Sequence, residues 1–230
     1  MNFLRIYDIH DNAFTIELSQ EINEETNRQV VALQAFIEQA NLPGFVECVP
    51  AYSSLTIYVD GTSSINEIKQ IVERKLSAFS LSENAARQST KTTSPIIVPV
   101  CYDLEYGTDL TAVSNQLELS IDEIIELHTK EYYRVYMIGF VPGFPYMGTL
   151  PPELEMPRKK TPALKVPMGS VAIAGKQTGI YPAEVPGGWH IIGRTPLQLF
   201  DKSTEPYCLF KAGDLIQFKQ ISKKEFLDHA

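Results

Sequence analysis

The fold is decided by residues 139–196, where short apolar runs alternate with glycine and proline. Its three most regular parts read GFVPGFPYMG (139–148), GSVAIAGKQTGIYP (169–182) and PGGWHIIGRTP (186–196). Ten of the 13 glycines and 11 of the 15 prolines lie after Ile138. Short strands separated by turns rich in these two residues are typical of a β-barrel or a β-sandwich. The second half of the chain is therefore predicted to be a barrel or a sandwich.

The first 80 residues show ordinary helix and strand periodicity instead. The predicted elements are, in order, strands at 2–9 and 13–18, a helix at 23–41, strands at 45–49 and 55–59, and a helix at 64–78. The order ββαββα predicts a small α+β domain in which helices cover one face of a mostly antiparallel sheet.

Three regions are predicted along the chain. The α+β domain occupies 1–80, and a linker rich in Ser, Thr and Asn occupies 81–94. The barrel domain then occupies 95–230, and its first strand opens at Pro95. Two short helices follow, the first capped by Asp109 and the second by the capping box of Ser120 and Glu123, and the second ends near His128. A strand is predicted at 132–138.

Composition and charge exclude several classes of protein. The 230 residues carry 20 Lys and Arg against 28 Asp and Glu, a net charge of −8 that disfavours nucleic-acid binding. No apolar run is long enough to span a membrane, and the first residues do not resemble a signal peptide. Three widely spaced cysteines indicate a reducing compartment, so a cytoplasmic protein is expected.

The segment 134–202 has the opposite charge to the rest of the chain. It carries eight Lys and Arg against four Asp and Glu, hence +4. Such a segment favours a small anion, a carboxylate or a phosphate. The alternative interpretation is a surface whose charge is uneven by chance.

Familiar catalytic motifs are not present. Residues 169–177 resemble a phosphate-binding loop only superficially, because five residues separate the glycines, Gln177 follows the lysine, and the segment reads as a strand. The four histidines are too scattered to indicate metal ligands, so no metal is predicted on this chain.

A cluster of polar and aromatic side chains stands among the glycines of 139–196. Phe144, Tyr146, Tyr181 and Trp189 are candidates for an apolar wall. Backbone amides at glycine turns form anion-binding concavities, and a guanidinium offers a fork of donors to a carboxylate. The candidate polar residues are Lys176, Gln177, Thr178, Tyr181, Arg194 and Thr195. The alternative is that the glycines only shape barrel corners and that the aromatic side chains are core.

The same three stretches resemble the allophanate hydrolase subunit 1 family, also called the carboxyltransferase C and D subdomain family. The similarity extends to Pro50–Leu55, Val100–Tyr102 and Pro206–Phe218. It implies that a cyclophilin-like β-barrel follows the α+β domain along the chain, although the fold does not imply prolyl isomerase activity. Two positions depart from the family pattern: Ala163 stands where relatives usually carry Arg, which removes one cation, and Met168 stands where they usually carry Ala.

The resemblance implies one component of an ATP-dependent 5-oxoprolinase that opens the lactam of 5-oxo-L-proline to L-glutamate. The carboxyltransferase-like C component is the implied direct partner and the A component completes the complex, which uses ATP that this chain alone is not expected to hold. Arg194 is then the anion clamp, with Lys176, Gln177, Thr178 and Tyr181 as polar lining. Phe144 and Trp189 form the wall or a partner contact. Glu105 and His128 are candidates for general acid–base catalysis, although Glu105 also suits a solvated turn and His128 a helix C-terminus.

Two other functions fit the same family. Kip-type members inhibit a sporulation histidine kinase, which predicts a docking protein rather than an enzyme. A carboxyltransferase-related protein that acts on urea or another amide is the third interpretation, but the Met-Lys motif of a biotin carrier is not present. Biotin is therefore not predicted on this chain.

Overall fold

The structure is a computed structural model that describes residues 5–77 and 94–229. The chain divides into two compact units, an N-terminal unit (Met1–Thr92) and a barrel unit (Thr93–Ala230). Except for Ser94, the linker predicted at 81–94 lies outside the described residues. No helix within the described ranges is long and apolar enough to cross a membrane.

The N-terminal unit is a four-stranded antiparallel sheet with two helices. Its elements are β1 (Arg5–His10), β2 (Ala13–Glu17), α1 (Glu24–Glu38), β3 (Phe45–Pro50), β4 (Ser54–Val59) and α2 (Ile65–Ser77). The strands lie in the order β1-β2-β4-β3. Alternation along β2 and β4 buries Phe14, Ile16, Leu55 and Ile57 in one core with apolar residues of α1 and α2.

Helix α1 is shorter than the predicted 23–41. It begins as expected at Asn23, whose side-chain oxygen accepts the Thr26 N–H at 2.8 Å. It ends at Glu38 because the Ala40 N–H bonds three residues back to Ile37 and Asn41 adopts a left-handed φ of 48°. Apolar periodicity marks which residues face the core, but not the turn at which a helix stops.

In the described part of the barrel unit, more residues lie in strands than in helices. Its elements are β5 (Ile96–Val100), α3 (Leu110–Leu117), α4 (Ile121–Lys130), β6 (Tyr133–Ile138), β7 (Pro145–Gly148), a 3-10 turn (Pro152–Leu154), β8 (Ala163–Val166), β9 (Ser170–Ala174), β10 (Gln177–Ile180), β11 (Val185–Gly187), β12 (His190–Arg194), β13 (Leu215–Gln220) and α5 (Lys223–Asp228). The capping box predicted at Ser120 and Glu123 is confirmed, and α4 runs to Lys130. Residues 170–174 form a strand, so the strand predicted for this segment is confirmed.

Seven strands form one sheet in the order β12-β9-β10-β7-β6-β13-β5. The β13–β5 pair is parallel, whereas the other neighbours in this sheet are antiparallel. The two edge strands meet where Cys101 and Arg194 exchange backbone hydrogen bonds of 2.8 and 2.9 Å. That bridge pairs backbone N–H and C=O groups that the edges of an open sheet leave unpaired. It thereby nearly closes the sheet into a barrel.

The barrel has an apolar interior and a second cluster outside it. Val171 and Ile173 of β9 face the interior, where residues of β5, β6, β12 and β13 join them. Ala172 and Ala174 alternate with them and face outward, into a smaller cluster that contains aromatic side chains. The separate two-stranded sheet of β8 and β11 contributes Val166 to that outer cluster. Strand β9 is therefore buried on both faces.

Candidate functional site

An aromatic pocket lies in the outer cluster of the barrel unit, beside the two-stranded sheet of β8 and β11. Its volume is about 240 Å³. Pockets for drug-sized ligands measure roughly 300–1,000 Å³, so this one suits a smaller molecule. The residues that line it are Phe140, Phe144, Tyr146, Arg158, Pro162, Tyr181, Pro186, Gly187, Gly188 and Trp189.

The aromatic rings that line the pocket pack against one another edge to face. The Phe144 centroid lies 5.1 Å from that of Tyr181 and 5.5 Å from that of Trp189, at interplanar angles of 80° and 89°. Such pairs contribute about 0.5–1.5 kcal/mol beyond the area that they bury. A Cβ at Gly179 would lie 2.9 Å from Phe144 Cζ, so the glycine makes room for this ring. Phe140, which is 59% exposed, forms the outer edge of the pocket.

Arg158 is, among the residues that the structure describes, the one charged side chain in the pocket lining. Its guanidinium carbon lies 5.9 Å from the Trp189 ring centroid, within range of a cation–π contact. Burial raises the pKa of the Tyr146 and Tyr181 phenols, whereas the charge of Arg158 acts in the opposite direction on both. The pocket therefore joins apolar ring faces to one positive charge.

Four of the residues predicted from sequence come together here. Phe144, Tyr146, Tyr181 and Trp189 all line the pocket. The alternative interpretation holds in part as well, because Phe144, Tyr181 and Trp189 are each at most 5% exposed and belong to the outer apolar cluster. These rings are both packing residues and pocket wall.

The structure does not bring His128 and Thr178 to the pocket. Thr178 lies on β10, two residues before Ile180, and both face the barrel interior. His128 is fully buried there, with Nε2 2.9 Å from Thr178 Oγ1 and Nδ1 2.8 Å from Tyr102 Oη. Burial lowers the pKa of this imidazole to about 3. Strand alternation thus places Thr178 on the face opposite the pocket, and His128 of helix α4 packs against that face.

The other predicted polar residues also lie outside the pocket lining. Exposed Lys176 is 3.7 Å from Glu155, and exposed Glu105 pairs with Lys223. Thr195 is buried, with its N–H bonded to Gly169. Gln177, on β10, is half-buried beside the β9–β10 turn.

Arg194 has two structural contacts. Its backbone makes the bridge to Cys101 that closes the barrel, and its Nε donates to the Met168 carbonyl at 2.7 Å. It does not line the pocket. Its role as an anion clamp therefore stays a prediction without support from the pocket geometry.

Sequence reasoning missed Phe140, Arg158 and Pro162. Phe140 stands inside the quoted stretch 139–148, and Arg158 opens a run of three cations that was counted only for its charge. The departure at Ala163 lies in β8, next to pocket-lining Pro162 and opposite Gly187. No group of three His, Cys, Asp or Glu suited to a metal ion occurs in the part of the chain that the structure describes.

Asp109 ties the segment that carries Arg158 to strand β12. It stands at the N-cap of α3, but its side chain makes no capping bond there. Instead, Oδ2 accepts from Lys159 Nζ and from the Ile191 N–H, each at 2.7 Å. The cap predicted for this side chain is therefore wrong, because these two donors take the carboxylate.

Asp109→Asn is expected to destabilise the barrel unit by about 1–2 kcal/mol, because a charge-assisted bond is lost where both partners are about one-fifth exposed. Glu184→Gln is the matched control, since its ion pair with Lys165 is more than half exposed on both sides and contributes little. Urea unfolding of both variants tests the difference. Equal losses would contradict a structural role for Asp109.

Comparison with known proteins identifies the family. A model of the carboxyltransferase domain, subdomain C and D, matches residues 4–210. The B subunit of 5-oxoprolinase from Bacillus subtilis (strain 168) is 41% identical over an alignment of 233 positions, gaps included, which covers 96% of this chain and 95% of that protein. The protein of the same name from Escherichia coli O157:H7 is 35% identical over 225 residues, which cover 98% of this chain and 99% of that one.

A solved structure is also similar to this chain over nearly its full length. A conserved uncharacterized protein from Pyrococcus horikoshii is 42% identical and superposes with a TM-score of 0.57 over 96% of this chain and 100% of that one. Because the family model spans most of the sequence and the relatives match it nearly end to end, this chain belongs to the family of the carboxyltransferase domain, subdomain C and D.

Proposed function

We propose that this chain is the B subunit of an ATP-dependent 5-oxoprolinase, a complex that opens 5-oxo-L-proline to L-glutamate together with the A and C subunits. The observation that carries the proposal is its similarity to two bacterial proteins named as the B subunit of 5-oxoprolinase, at 41% and 35% identity. Both alignments cover nearly all of each protein, so both units of this chain have a counterpart. A shared barrel alone would not support a shared function.

The finer fold assignment is part of the same proposal. We assign residues 95–230 to a cyclophilin-like β-barrel and residues 1–80 to a ββαββα domain, with a linker at 81–94. The nearly closed seven-stranded sheet supports the first assignment, and the order of elements in the N-terminal unit supports the second.

The pocket fits a small lactam better than it fits ATP. A nucleoside triphosphate is of drug size and carries several negative charges, whereas this pocket has about 240 Å³ and one arginine. We therefore place ATP binding on a partner protein of the complex. The complex would hydrolyse ATP with one water and cleave the lactam C–N bond with a second. An unactivated amide is a poor electrophile, which is why the reaction needs the energy of ATP.

The contribution of this chain is then binding and orientation. The faces of Phe144, Tyr181 and Trp189 pack against a flat ring and exclude water from it, which holds the substrate in one orientation for the partner proteins. Acid–base roles for Glu105 and His128 receive no support from their positions, since one is in a surface ion pair and the other is in the barrel core.

Reconstitution tests the proposed function. This chain is mixed with the A and C subunits from the same organism, and glutamate release from 5-oxo-L-proline is measured with and without ATP. We expect release only when all three chains and ATP are present. Full activity without this chain would refute the proposal. The alternative, inhibition of a histidine kinase, predicts instead a dose-dependent loss of kinase autophosphorylation when the chain is added.

A further inference from the structure

We propose that the aromatic pocket binds a small ring that carries a carboxylate, and that Arg158 is the residue that recognises the carboxylate. The identity of the ring, a five-membered lactam, rests on the proposed function. The carboxylate specificity rests on the pocket itself.

Arg158 is a cation without a carboxylate partner in the described part of the chain. Within residues 5–77 and 94–229, no carboxylate lies within the 4.0 Å of a salt bridge to its guanidinium. The adjacent cation, Lys159, differs in this respect, because its ammonium is paired with Asp109 at 2.7 Å. The cation at the pocket is therefore available to an external anion, and a guanidinium pairs with a carboxylate through two parallel hydrogen bonds.

Hydrogen bonds anchor the backbone on both sides of Arg158. On one side, His190 Nε2–H donates to the Pro157 carbonyl at 2.9 Å. On the other, the Lys159 N–H donates to the Gly188 carbonyl at 2.8 Å. These bonds clamp the segment to the chain that enters β12, so Arg158 lies beside Trp189. The position is set before any ligand arrives, which lowers the entropic cost of binding.

The size and polarity of the pocket restrict the kind of ligand that it fits. Aromatic rings line most of the cavity, and its charge comes from one residue at the side. A ligand that fits has a flat apolar body for the ring faces and one negative group at its edge. A cyclic amino-acid derivative has this form, and a cavity of about 240 Å³ is large enough to hold one.

Arg194 is a weaker candidate for the same role. Its Nε donor is already bonded to the Met168 carbonyl, and its side chain does not line the cavity. A carboxylate at the edge of a ligand in this pocket would contact Arg158, whereas Arg194 lies outside the pocket lining. The cation predicted from the glycine-rich sequence and the cation beside the pocket are thus different residues.

The test uses the fluorescence of Trp189, which is the only tryptophan in the chain and lines the pocket. The full chain is titrated with 5-oxo-L-proline and with 2-pyrrolidinone, the same lactam without its carboxylate. We expect a saturable change with 5-oxo-L-proline and a Kd about tenfold or more higher for 2-pyrrolidinone. Arg158→Ala should raise the Kd for 5-oxo-L-proline by a similar factor and leave that for 2-pyrrolidinone unchanged.

Two variants sharpen the comparison. Arg158→Lys keeps the charge but loses the paired N–H donors of the guanidinium. Its Kd for 5-oxo-L-proline should therefore lie between those of the wild type and Arg158→Ala. Lys160→Ala removes a neighbouring exposed cation that does not line the pocket and should bind normally. The proposal is overturned by equal Kd values for wild type and Arg158→Ala, by equal binding of the two lactams to the wild type, or by no fluorescence response to 5-oxo-L-proline.

The outcome can be separated from that of the proposed function. If Arg158 governs binding but the reconstituted complex releases no glutamate, the pocket assignment stands and the 5-oxoprolinase proposal fails. If the complex is active and Arg158→Ala leaves its KM for 5-oxo-L-proline unchanged, the function stands and the substrate is bound elsewhere.

Discussion

Replacing Gly169 with alanine is expected to destabilise the barrel unit by about 2–5 kcal/mol. Gly169 has a φ of +81°, a region in which an L side chain costs roughly 1–2 kcal/mol. An added Cβ would also lie closer than 3.0 Å to the Thr195 carbonyl oxygen. That oxygen belongs to the backbone, so no side-chain rotation relieves the overlap, and forced backbone shifts cost about 1–3 kcal/mol more. The Gly169 N–H and carbonyl also bond to Tyr181 and Thr195, so the shift would disturb two strand connections.

Gly175→Ala is the matched control for this overlap. Gly175 has a φ of +58°, but nothing lies within 4 Å of an added Cβ, so only the conformational cost of about 1–2 kcal/mol remains. Urea unfolding followed by Trp189 fluorescence reports on the barrel unit alone, because the chain has no other tryptophan. Equal losses in the two variants would show that the Gly169 site relaxes freely.

Local patterns in the sequence predicted the helices and strands well. The strand predicted at 132–138 is β6 (Tyr133–Ile138), and the helix predicted at 64–78 is α2 (Ile65–Ser77). Periodicity and caps act over a few residues, so they can be read directly from the chain. The errors lie at ends, as in α1, and at Asp109, whose side chain is claimed by donors from residues 159 and 191.

Long-range pairings were not predictable in the same way. Nothing in 95–101 shows that β5 lies parallel to β13, or that Cys101 closes the barrel on Arg194. These pairs join residues roughly one hundred positions apart, and their register depends on how the intervening strands stack. The assignment of Arg194 to the site followed from its glycine-rich neighbours, whereas its place in the barrel follows from this closure.

The candidate site shows the same division. The aromatic wall was predicted because Phe144, Tyr146, Tyr181 and Trp189 stand among the glycines that bring strands close together. Arg158 lies in a segment without strand periodicity, and only its bonds to the chain entering β12 bring it beside Trp189. Gln177 and Thr178 were both predicted to be polar lining of one site, although adjacent residues of a strand point to opposite faces.

His128 is expected to make the barrel unit sensitive to acid. Its ring stacks on Phe218 at 4.4 Å and is fully buried, and burial lowers its pKa to about 3. The Thr178 hydroxyl donates to the Ala172 carbonyl, so it accepts from His128 Nε2–H, and Nδ1 accepts from the Tyr102 hydroxyl. These bonds satisfy one neutral tautomer, and neither hydroxyl carries a charge that would stabilise an imidazolium.

The direction of the pH effect follows from the two pKa values. In the unfolded chain the imidazole titrates near 6.5, whereas in the folded protein it titrates at about 3. Between these values the unfolded state binds a proton that the folded state does not. The free energy of unfolding therefore falls as the pH drops below about 6.5, by up to about 1.4 kcal/mol per pH unit. At pH 4.5 the expected loss from this residue is about 2–3 kcal/mol.

The test compares the pH dependence of unfolding in His128→Gln with that of the wild type, again through Trp189. The variant should be less stable at pH 7, because the glutamine amide does not replace the stacked ring. Its loss of stability from pH 7 to pH 4.5 should be about 2–3 kcal/mol smaller than that of the wild type. His229→Gln is the control, since it removes an exposed histidine of the same unit and should keep the wild-type slope. If His128→Gln and the wild type lose stability in parallel, the buried imidazole accepts its proton without penalty and the neutral network assigned to it is wrong.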